Sequence, residues 1–278
     1  MLHVVIFLGL YCPAHGHRVY GLIVGDTWGI WPLADTKKTP WPSHCRPLTG
    51  ISGPDRGCRA ACRYAQDMAG NRRNFAQSMD DIDAKVIELF AMIAEDLPAA
   101  TRALLGGGPE AVTALAEREQ IIDALYVEIE QLAGREILLQ APVGSDFRFL
   151  VTVVRIVPEL ERSHDLVMDI AARGGRIRDA DLSARSREFA QRMADLATGM
   201  WGQATDAWHN RDRTAATAIG ERDTEMDQLH ASLTAEIASG QMPVPATMEM
   251  TLAARDYERL GAHAVNIARR IAYLAGRR

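Results

Sequence analysis

The sequence predicts an all-α fold made of two tandem three-helix bundles. From about Asn71 onward, apolar residues recur at the three- and four-residue spacing of amphipathic helices, and few segments alternate as strands do. Glycine and proline divide this region into six long segments with short connections, which favours antiparallel neighbours. The last three segments repeat motifs of the first three, which indicates an internal duplication.

Residues that favour helix ends mark the limits of the predicted helices. The first helix stops at Gly106, and Pro109 then stands where the first turn of a helix tolerates proline. Pro158 lies inside the third helix, where it removes one backbone hydrogen bond and either kinks the helix or is tolerated. The predicted helices span about 74–105, 109–140, 147–174, 181–210, 213–239 and 246–275.

Three motifs recur at matching places in the two sets of helices. The pairs are EREQIIDAL at 117–125 with ERDTEMDQL at 221–229, QAPV at 140–143 with QMPV at 241–244, and ERSHDLVMDIA at 161–171 with ERLGAHAVNIA at 258–268. The interval between the second and third motifs is four residues shorter in the second copy. Four residues is about one helical turn, so the third motif keeps the same orientation around the helix axis in both copies. We therefore predict a first repeat over residues 68–176 and a second over 177–278.

Residues 1–67 differ from the rest of the chain, because they hold all four cysteines and half of the prolines and show little periodicity. We expect an unstructured N-terminal extension, with the functional chain beginning at Met68. The apolar opening stretch could be a signal peptide, but no Lys or Arg precedes it. Cys58 and Cys62, with His44 and Cys45 upstream, could bind zinc, but their spacing is loose. Both alternatives are disfavoured.

The charge of the chain argues against two classes of partner. The formal net charge is −5, and no basic stripe overrides the acidic balance. Such a chain has no general attraction for nucleic acid or for anionic lipid. The sequence therefore disfavours nucleic-acid binding and direct binding to a membrane surface.

The motif ERSHDLVMDIA places Glu161, Asp165 and Asp169 one turn apart on one stripe of a helix. Like charges stacked this way repel by about a few tenths of a kcal/mol per pair unless a cation uses them. The stripe borders the apolar face, so the carboxylates could gather iron, manganese, magnesium or calcium. The alternative is a solvated acidic stripe partly neutralised by Arg155 and Arg162, and spacing alone favours this alternative.

The segments QAPVGSDFRFLVTVVRIVPELERSHDLVMDIA and YERLGAHAVNIARRIAYL resemble the two halves of the PhoU family, and the resemblance covers residues 68–278. It implies a cytosolic six-helix protein that often dimerises and acts, without catalysis, as a negative regulator of phosphate uptake and phosphate-starvation signalling. It also implies two partners, the ATPase subunit of the Pst phosphate transporter and a PhoR-type sensor kinase. Association with the membrane would occur through these partners only.

The resemblance also favours a metal site in the first repeat. The Glu/Asp-x-x-x-Asp motif of the family falls on Glu161, Asp165 and Asp169, which implies a divalent or iron-type ion such as Fe, Mn, Mg or Zn. His164 stands where the family usually has glycine. Its ring either adds a softer ligand or covers a contact between small residues.

The second repeat departs from the family pattern. Glu258 and Asn266 are the corresponding candidate ligands, but Ala262 replaces the aspartate, so a metal there would be weaker or absent. His263 lies away from the Glu258 stripe, which favours a packing or surface role over ligation. The other motif residues are Arg162, Arg259 and His263.

An enzyme is the main alternative to a regulator. Glu161 with His164, and Asp227 with His230, form two acid-x-x-His pairs that resemble those of carboxylate-bridged di-iron oxidases. Such a site needs both pairs in one bundle, whereas the repeat assigns them to different halves. The sequence shows no nucleotide-binding loop and no Ser/His/Asp arrangement that would indicate another kind of enzyme. A non-enzymatic regulator is therefore preferred, with a PhoU-like regulator of another transporter as a third possibility.

Overall fold

The computed structural model describes residues 8–12, 17–24, 27–31, 56–106 and 109–276. Six long α-helices lie in these ranges, and the predicted all-α, tandem fold is confirmed for the region after residue 60. The helices are α1 (Arg56–Leu104), α2 (Pro109–Gln140), α3 (Ser145–Gly174), α4 (Ala184–Asn210), α5 (Ala215–Ala238) and α6 (Val244–Leu274). A short 3-10 turn at Asp179–Asp181 precedes α4. None of the described helices is both long enough and apolar enough to cross a membrane.

The beginning of α1 differs from the prediction by about eighteen residues, since the helix starts at Arg56 rather than near Asn74. The intervening sequence is rich in Ala and Arg, which are strong helix formers without a clear apolar stripe. Periodicity therefore missed this part of the helix, although intrinsic propensity favours it. Cys58 and Cys62, the loose zinc candidates, lie on α1. Their proposed companions His44 and Cys45 lie outside the described residues.

The N-terminal segment was predicted to have no fold of its own, but the structure contains a small sheet there. Strands β1 (Leu8–Cys12), β2 (His17–Val24) and β3 (Thr27–Trp31) pair antiparallel in the order β1-β2-β3. β2 and β3 are rich in branched and aromatic residues, which favour strands. These strands belong to a compact unit of residues 1–60, separate from residues 61–278. That the chain can function from Met68 stays a prediction.

The second unit has a core that both sets of helices share. Phe90 on α1 contacts Trp201 and Trp208 on α4, with ring centroids 6.2 Å apart in each pair. Phe149 on α3 lies 5.9 Å from Trp208. The Trp208 indole N–H donates to Asp83 at 2.8 Å. Large aromatic rings thus join helices of the first repeat to a helix of the second.

Helices α3 and α6 pack antiparallel along a polar seam. Ser163 Oγ lies 2.9 Å from His263 Nδ1, and Arg173 Nη2 lies 2.8 Å from Asp256 Oδ2. Residue numbers rise along α3 as they fall along α6, which defines the antiparallel arrangement. α3 continues through Pro158 as one element. The candidate ligands of both repeats lie on these two helices.

Candidate functional site

Glu161, Asp165 and Asp169 lie on α3 where its packed face meets solvent. Glu161 is half-buried, whereas Asp165 and Asp169 are exposed, and the intervening Ser163 and His164 are buried. The predicted position at the edge of the packed face therefore holds for Glu161. The two aspartates project further into solvent.

A fourth carboxylate, Asp123 on α2, lies close to this stripe. Burial raises the pKa of Glu161, and the negative charges of Asp165 and Asp123 raise it further. Although the residue as a whole is exposed, partial burial of its carboxyl likewise raises the pKa of Asp165, with additional increases from Asp123 and Asp169. Three acids from two helices therefore form an anionic group whose charges oppose one another.

Sequence reasoning missed Asp123 as a site residue, although the signal was present. The motif EREQIIDAL aligns Asp123 with Asp227 of ERDTEMDQL, so the duplication keeps an aspartate at both places. In the second repeat, burial raises the pKa of Asp223, and Asp227 and Glu258 raise it further. Each repeat thus brings carboxylates of its second helix toward its third helix.

Asp169 faces a basic residue, Arg173, rather than only the other acids of this group. Arg173 Nη2 lies 3.9 Å from Asp169 and 2.8 Å from Asp256 across the seam. The side chain of Asp169 is 64% exposed, so its pairing with Arg173 is weak. Asp169 is consequently the least suited of the three predicted carboxylates to hold a cation.

The solvated-stripe alternative also finds some support. Arg162 is exposed beside Glu161, and its positive charge partly offsets the increase in the pKa of that carboxyl. Arg155 is exposed on the same helix. Neither arginine forms an ion pair with Glu161 or Asp165 within the described part of the chain.

The predicted ligands of the second repeat are engaged separately. Glu258 accepts a hydrogen bond from Arg255, one turn earlier on α6. Asn266 donates to Glu159 across the seam at 3.3 Å and accepts from Arg269 at 3.4 Å. Glu258 and Asn266 share no hydrogen-bond partner among these contacts, so these contacts do not bring them together as a pair of ligands.

The other motif residues of the second repeat have different surroundings. His263 hydrogen bonds to Ser163, and burial lowers the pKa of its imidazole. This agrees with the packing role expected for His263. Arg259 is exposed, and its charge lowers the pKa of His263 further.

His164 is only 1% exposed and lies inside the first repeat. Its Nε2 is 3.3 Å from Asp96 on α1, and Asp96 also accepts a hydrogen bond from Arg118 on α2. Arg118 donates to Glu95 at 2.9 Å as well. The imidazole therefore lies in the interior, and through Asp96 it links α3 to α1 and α2. This placement favours a packing role for His164 over binding a metal through Nε2.

The arrangement lacks the geometry of a closed metal centre. Among the residues that the structure describes, no group of three or more His, Cys, Asp or Glu side chains is arranged to hold a metal ion. The donor chemistry nevertheless suits a hard cation, because carboxylate oxygens are the ligands that such ions prefer. Mg²⁺ in particular commonly uses one or two protein carboxylates and keeps several waters. One or two of the carboxylates of Glu161, Asp165 and Asp123 have the chemistry that such an open site needs.

Comparisons with known proteins agree with this architecture. The family model for the PhoU domain matches residues 86–174 and 190–271, one match within each predicted repeat. A phosphate-specific transport system accessory protein PhoU homolog from Zymomonas mobilis is 26% identical over 217 residues, covering 77% of this chain and 91% of that protein. The homolog from Caulobacter vibrioides is 33% identical over 166 residues, covering 58% and 71%.

Two solved structures have the same fold. PhoU from Pseudomonas aeruginosa has a TM-score of 0.67 at 22% identity, covering 72% of this chain and 98% of its own. The phosphate transport system regulatory protein PhoU from Streptococcus pneumoniae has a TM-score of 0.66 at 23% identity, with 73% and 97% covered. Since the two domain matches together span more than half of the sequence, the chain belongs to the PhoU family.

Proposed function

We propose that this protein is a negative regulator of phosphate uptake and of phosphate-starvation signalling. The observation that carries the proposal is the match of the PhoU domain to both repeats. Family membership gives the chain an accessory or regulatory role in phosphate transport. Repression of starvation genes is the proposed form of that role.

The protein acts in the cytoplasm, as a homodimeric helical adaptor between the ATPase subunit of the Pst phosphate transporter and a PhoR-type sensor kinase. The support for the first partner is that several relatives are named accessory proteins of phosphate-specific transport systems. The described helices include none suited to crossing a membrane, so protein contacts provide the link to the transporter. A transporter of another solute is the alternative partner.

A divalent or iron-type cation binds the first repeat through Glu161, Asp165 and Asp123. The supporting observation is that Asp165 and Asp123 raise the pKa of Glu161, and Asp123 raises that of Asp165, while none of these acids forms an ion pair among the described residues. A bound cation would supply positive charge and hold α2 against α3. The second repeat, with Glu258 and Asn266, binds a metal weakly or not at all.

A di-iron enzyme is disfavoured by the geometry of its proposed ligands. His164 points its Nε2 toward Asp96 in the interior rather than toward Glu161. Asp227 and His230 lie on α5, which packs on α4 and α6 of the second repeat. The two acid-x-x-His pairs therefore lie on helices of different repeats.

Deletion of the gene in its host tests the proposed function. A reporter driven by a phosphate-starvation promoter should become active in phosphate-rich medium, and the full-length wild-type chain supplied in trans should silence it. A deletion strain whose reporter stays silent at high phosphate would contradict the proposal. Altered uptake of another solute in that strain would support the alternative transporter.

A further inference from the structure

The middle of the seam between α3 and α6 contains an imidazole with one unused nitrogen. Ser163 Oγ donates to the backbone carbonyl of Glu159 at 2.6 Å, so the single proton of the hydroxyl is already committed. The 2.9 Å contact between Ser163 Oγ and His263 Nδ1 is therefore a hydrogen bond that Nδ1–H donates. Nε2 of His263 points away from Ser163, and it has no hydrogen-bond partner among the residues that the structure describes.

Two arginines flank this ring, one from each repeat. Arg162 and Arg259 belong to the two ER motifs, which the antiparallel packing of α3 and α6 brings to the same part of the seam. Arg162 precedes Ser163 in the chain, and Arg259 lies one turn before His263, about 6 Å along α6. Both arginines are exposed, and the charge of each lowers the pKa of His263, so both guanidinium groups lie near the ring. Neither arginine has a hydrogen bond or an ion pair within the described part of the chain.

The charges that act on His263 have a positive sum. They are Arg162 and Glu159 from α3 and Arg259 from α6. The carboxylate of Glu159 accepts a hydrogen bond from Asn266 at 3.3 Å. Two guanidinium groups thus stand against one carboxylate, which is already engaged by an amide.

The glutamates of the two ER motifs are engaged elsewhere. Glu161 lies with Asp165 and with Asp123 of α2, so its carboxylate belongs to the other side of α3. Glu258 accepts a hydrogen bond from Arg255. The surroundings of the imidazole therefore attract an anion, although the chain as a whole is acidic.

A neutral Nε2 beside two guanidinium groups discriminates among anions by their protons. Burial and both arginines lower the pKa of His263 from its ordinary value of 6.5, so the ring is neutral at pH 8. Nε2 then accepts hydrogen bonds and donates none, because the proton is on Nδ1. An anion with an O–H group can donate it to Nε2 while its other oxygens accept from arginine. An anion without a proton would place two acceptors against each other, which weakens binding.

Free inorganic phosphate has the chemistry that this arrangement requires. Its dianion combines two negative charges with one remaining O–H group at pH 8, whereas bicarbonate has a proton but a single charge. A phosphate monoester loses its last ionisable proton at about pH 6. Sulfate and the phosphodiesters of nucleic acid have no proton at pH 8. The seam is therefore better suited to free phosphate than to a phosphorylated protein or a nucleic acid.

We propose that Arg162, Arg259 and His263 bind free inorganic phosphate, the arginines contacting its charged oxygens and His263 Nε2 accepting its O–H. Leu166 stands at the position equivalent to His263 in the first repeat, so the duplicated chain has one such place rather than two. That bound phosphate is the signal of a phosphate regulator rests on the proposed function, whereas the binding itself rests on the seam.

Titration calorimetry of the purified full chain with inorganic phosphate tests the proposal at pH 8 and constant ionic strength. A chelator is present, so that a cation at Glu161 and Asp165 cannot bind the phosphate. We expect saturable binding, weakened at least tenfold by Arg162→Gln and by Arg259→Gln, because each change removes a charged donor. Arg192→Gln, which alters an exposed arginine on α4 outside the seam, should bind as the wild type does.

Two results of these titrations would overturn the proposal. One is the absence of saturable binding to the wild type at phosphate concentrations up to tens of millimolar. The other is equal affinity in the wild type and all three variants. Nuclear magnetic resonance of the wild-type chain gives a check that needs no variant, since phosphate should shift the nitrogen signal of His263 Nε2. An unchanged signal at saturating phosphate would also overturn the proposal.

Anion selectivity tests the role of His263. At pH 8, sulfate and methyl phosphate should bind at least tenfold more weakly than phosphate, because neither has a proton for Nε2. Sulfate binding should strengthen as the pH falls through the pKa of His263, since Nε2 then becomes a donor. His263→Gln, whose amide offers both a donor and an acceptor, should lose the preference for phosphate. Equal binding of sulfate and phosphate to the wild type at pH 8 would contradict the proposal.

The phosphate site and the proposed function can fail separately. If phosphate binds as expected but the deletion strain keeps its starvation reporter silent, the site stands and the proposed function is wrong. If deletion activates the reporter but the purified chain does not bind phosphate, the proposed function stands and the site is wrong.

Discussion

The third helices of the two repeats differ most in how their acidic residues are balanced. On α3, Glu161 and Asp165 gather with Asp123 and form no ion pair with another described residue. On α6, Ala262 has no charge, and Glu258 is hydrogen-bonded to Arg255. Since both helices fold and pack in equivalent ways, the acidic group on α3 is not a requirement of the fold. The difference matches the proposed binding of a cation to the first repeat.

The interior beneath these residues differs as well. His164 fills the first repeat and bonds to Asp96, whereas the equivalent residue of the second repeat is Gly261. A Cβ atom at Gly261 would lie 3.2 Å from Asp223 Oδ1 and 3.4 Å from a methyl group of Met200, which leaves little room for a side chain. The first repeat therefore has a polar contact between helices at a place where the second has close packing.

The largest expected effect is a loss of folding stability when Asp96, the buried acid of the first repeat, is removed. Asp96→Ala leaves His164 without its partner in the interior and deprives Arg118 of one hydrogen bond. Breaking a buried charged pair costs about 3–5 kcal/mol, and the partial exposure of Arg118 reduces this to about 2–3 kcal/mol. Chemical denaturation should show this loss in the free energy of unfolding.

The matched control is Asp195→Ala on α4, because Asp195 is exposed and accepts a hydrogen bond from Gln191. That change should alter the free energy of unfolding by less than about 0.5 kcal/mol. Similar losses for the two variants would mean that the contact between His164 and Asp96 does not hold the first repeat together.

The second largest effect concerns cation binding by the two repeats. Glu161→Gln combined with Asp165→Asn should weaken Mn²⁺ binding about tenfold or more, because a hard cation needs anionic oxygen. Asp123→Asn should weaken binding more than Asp169→Asn, since Asp169 is paired with Arg173. Glu258→Gln should change little. Titration calorimetry and metal content by mass spectrometry measure these affinities in the purified full chain.

Two results would reverse the comparison between the repeats. Equal Mn²⁺ affinity in all of these variants would mean that the stripe on α3 is simply solvated. A larger loss from Glu258→Gln than from the double variant would place the cation in the second repeat, where Asp223 and Asp227 lie near Glu258.

The sequence predicts this fold better than it predicts the site. Glycine and proline mark helix ends directly, so the bounds of α2 and α3 agree with the prediction within a few residues. The sheet of residues 8–31 was missed because its strands are short and lack regular alternation. Asp123 was missed because helical spacing shows which residues share one helix, not which neighbouring helix they face. The contact between Arg173 and Asp256 depends on how α3 packs against α6, which spacing within one helix cannot supply.

The smallest effect is the contribution of Asp165 to the dependence of stability on pH. The folded state raises the pKa of Asp165 above its ordinary value of 3.8, through burial and through Asp123 and Asp169. Above that value the folded chain holds its proton more tightly than the unfolded chain does. Stability therefore falls as pH rises from about 4 through the raised pKa, and the loss is complete at neutral pH.

Asp165→Asn removes this loss, so with chelator present the variant should be more stable than wild type at pH 7 by about a few tenths of a kcal/mol. That corresponds to an increase of about 1 °C in the melting temperature, which should vanish near pH 3, where the aspartate is protonated in both states. The mirror variant Ala262→Asp adds an acid at the equivalent position of the second repeat, near Glu258. It should lower the melting temperature at pH 7 by a similar amount. A stabilised Ala262→Asp, or an Asp165→Asn whose advantage persists at pH 3, would mean that side-chain packing rather than charge separates the two helices.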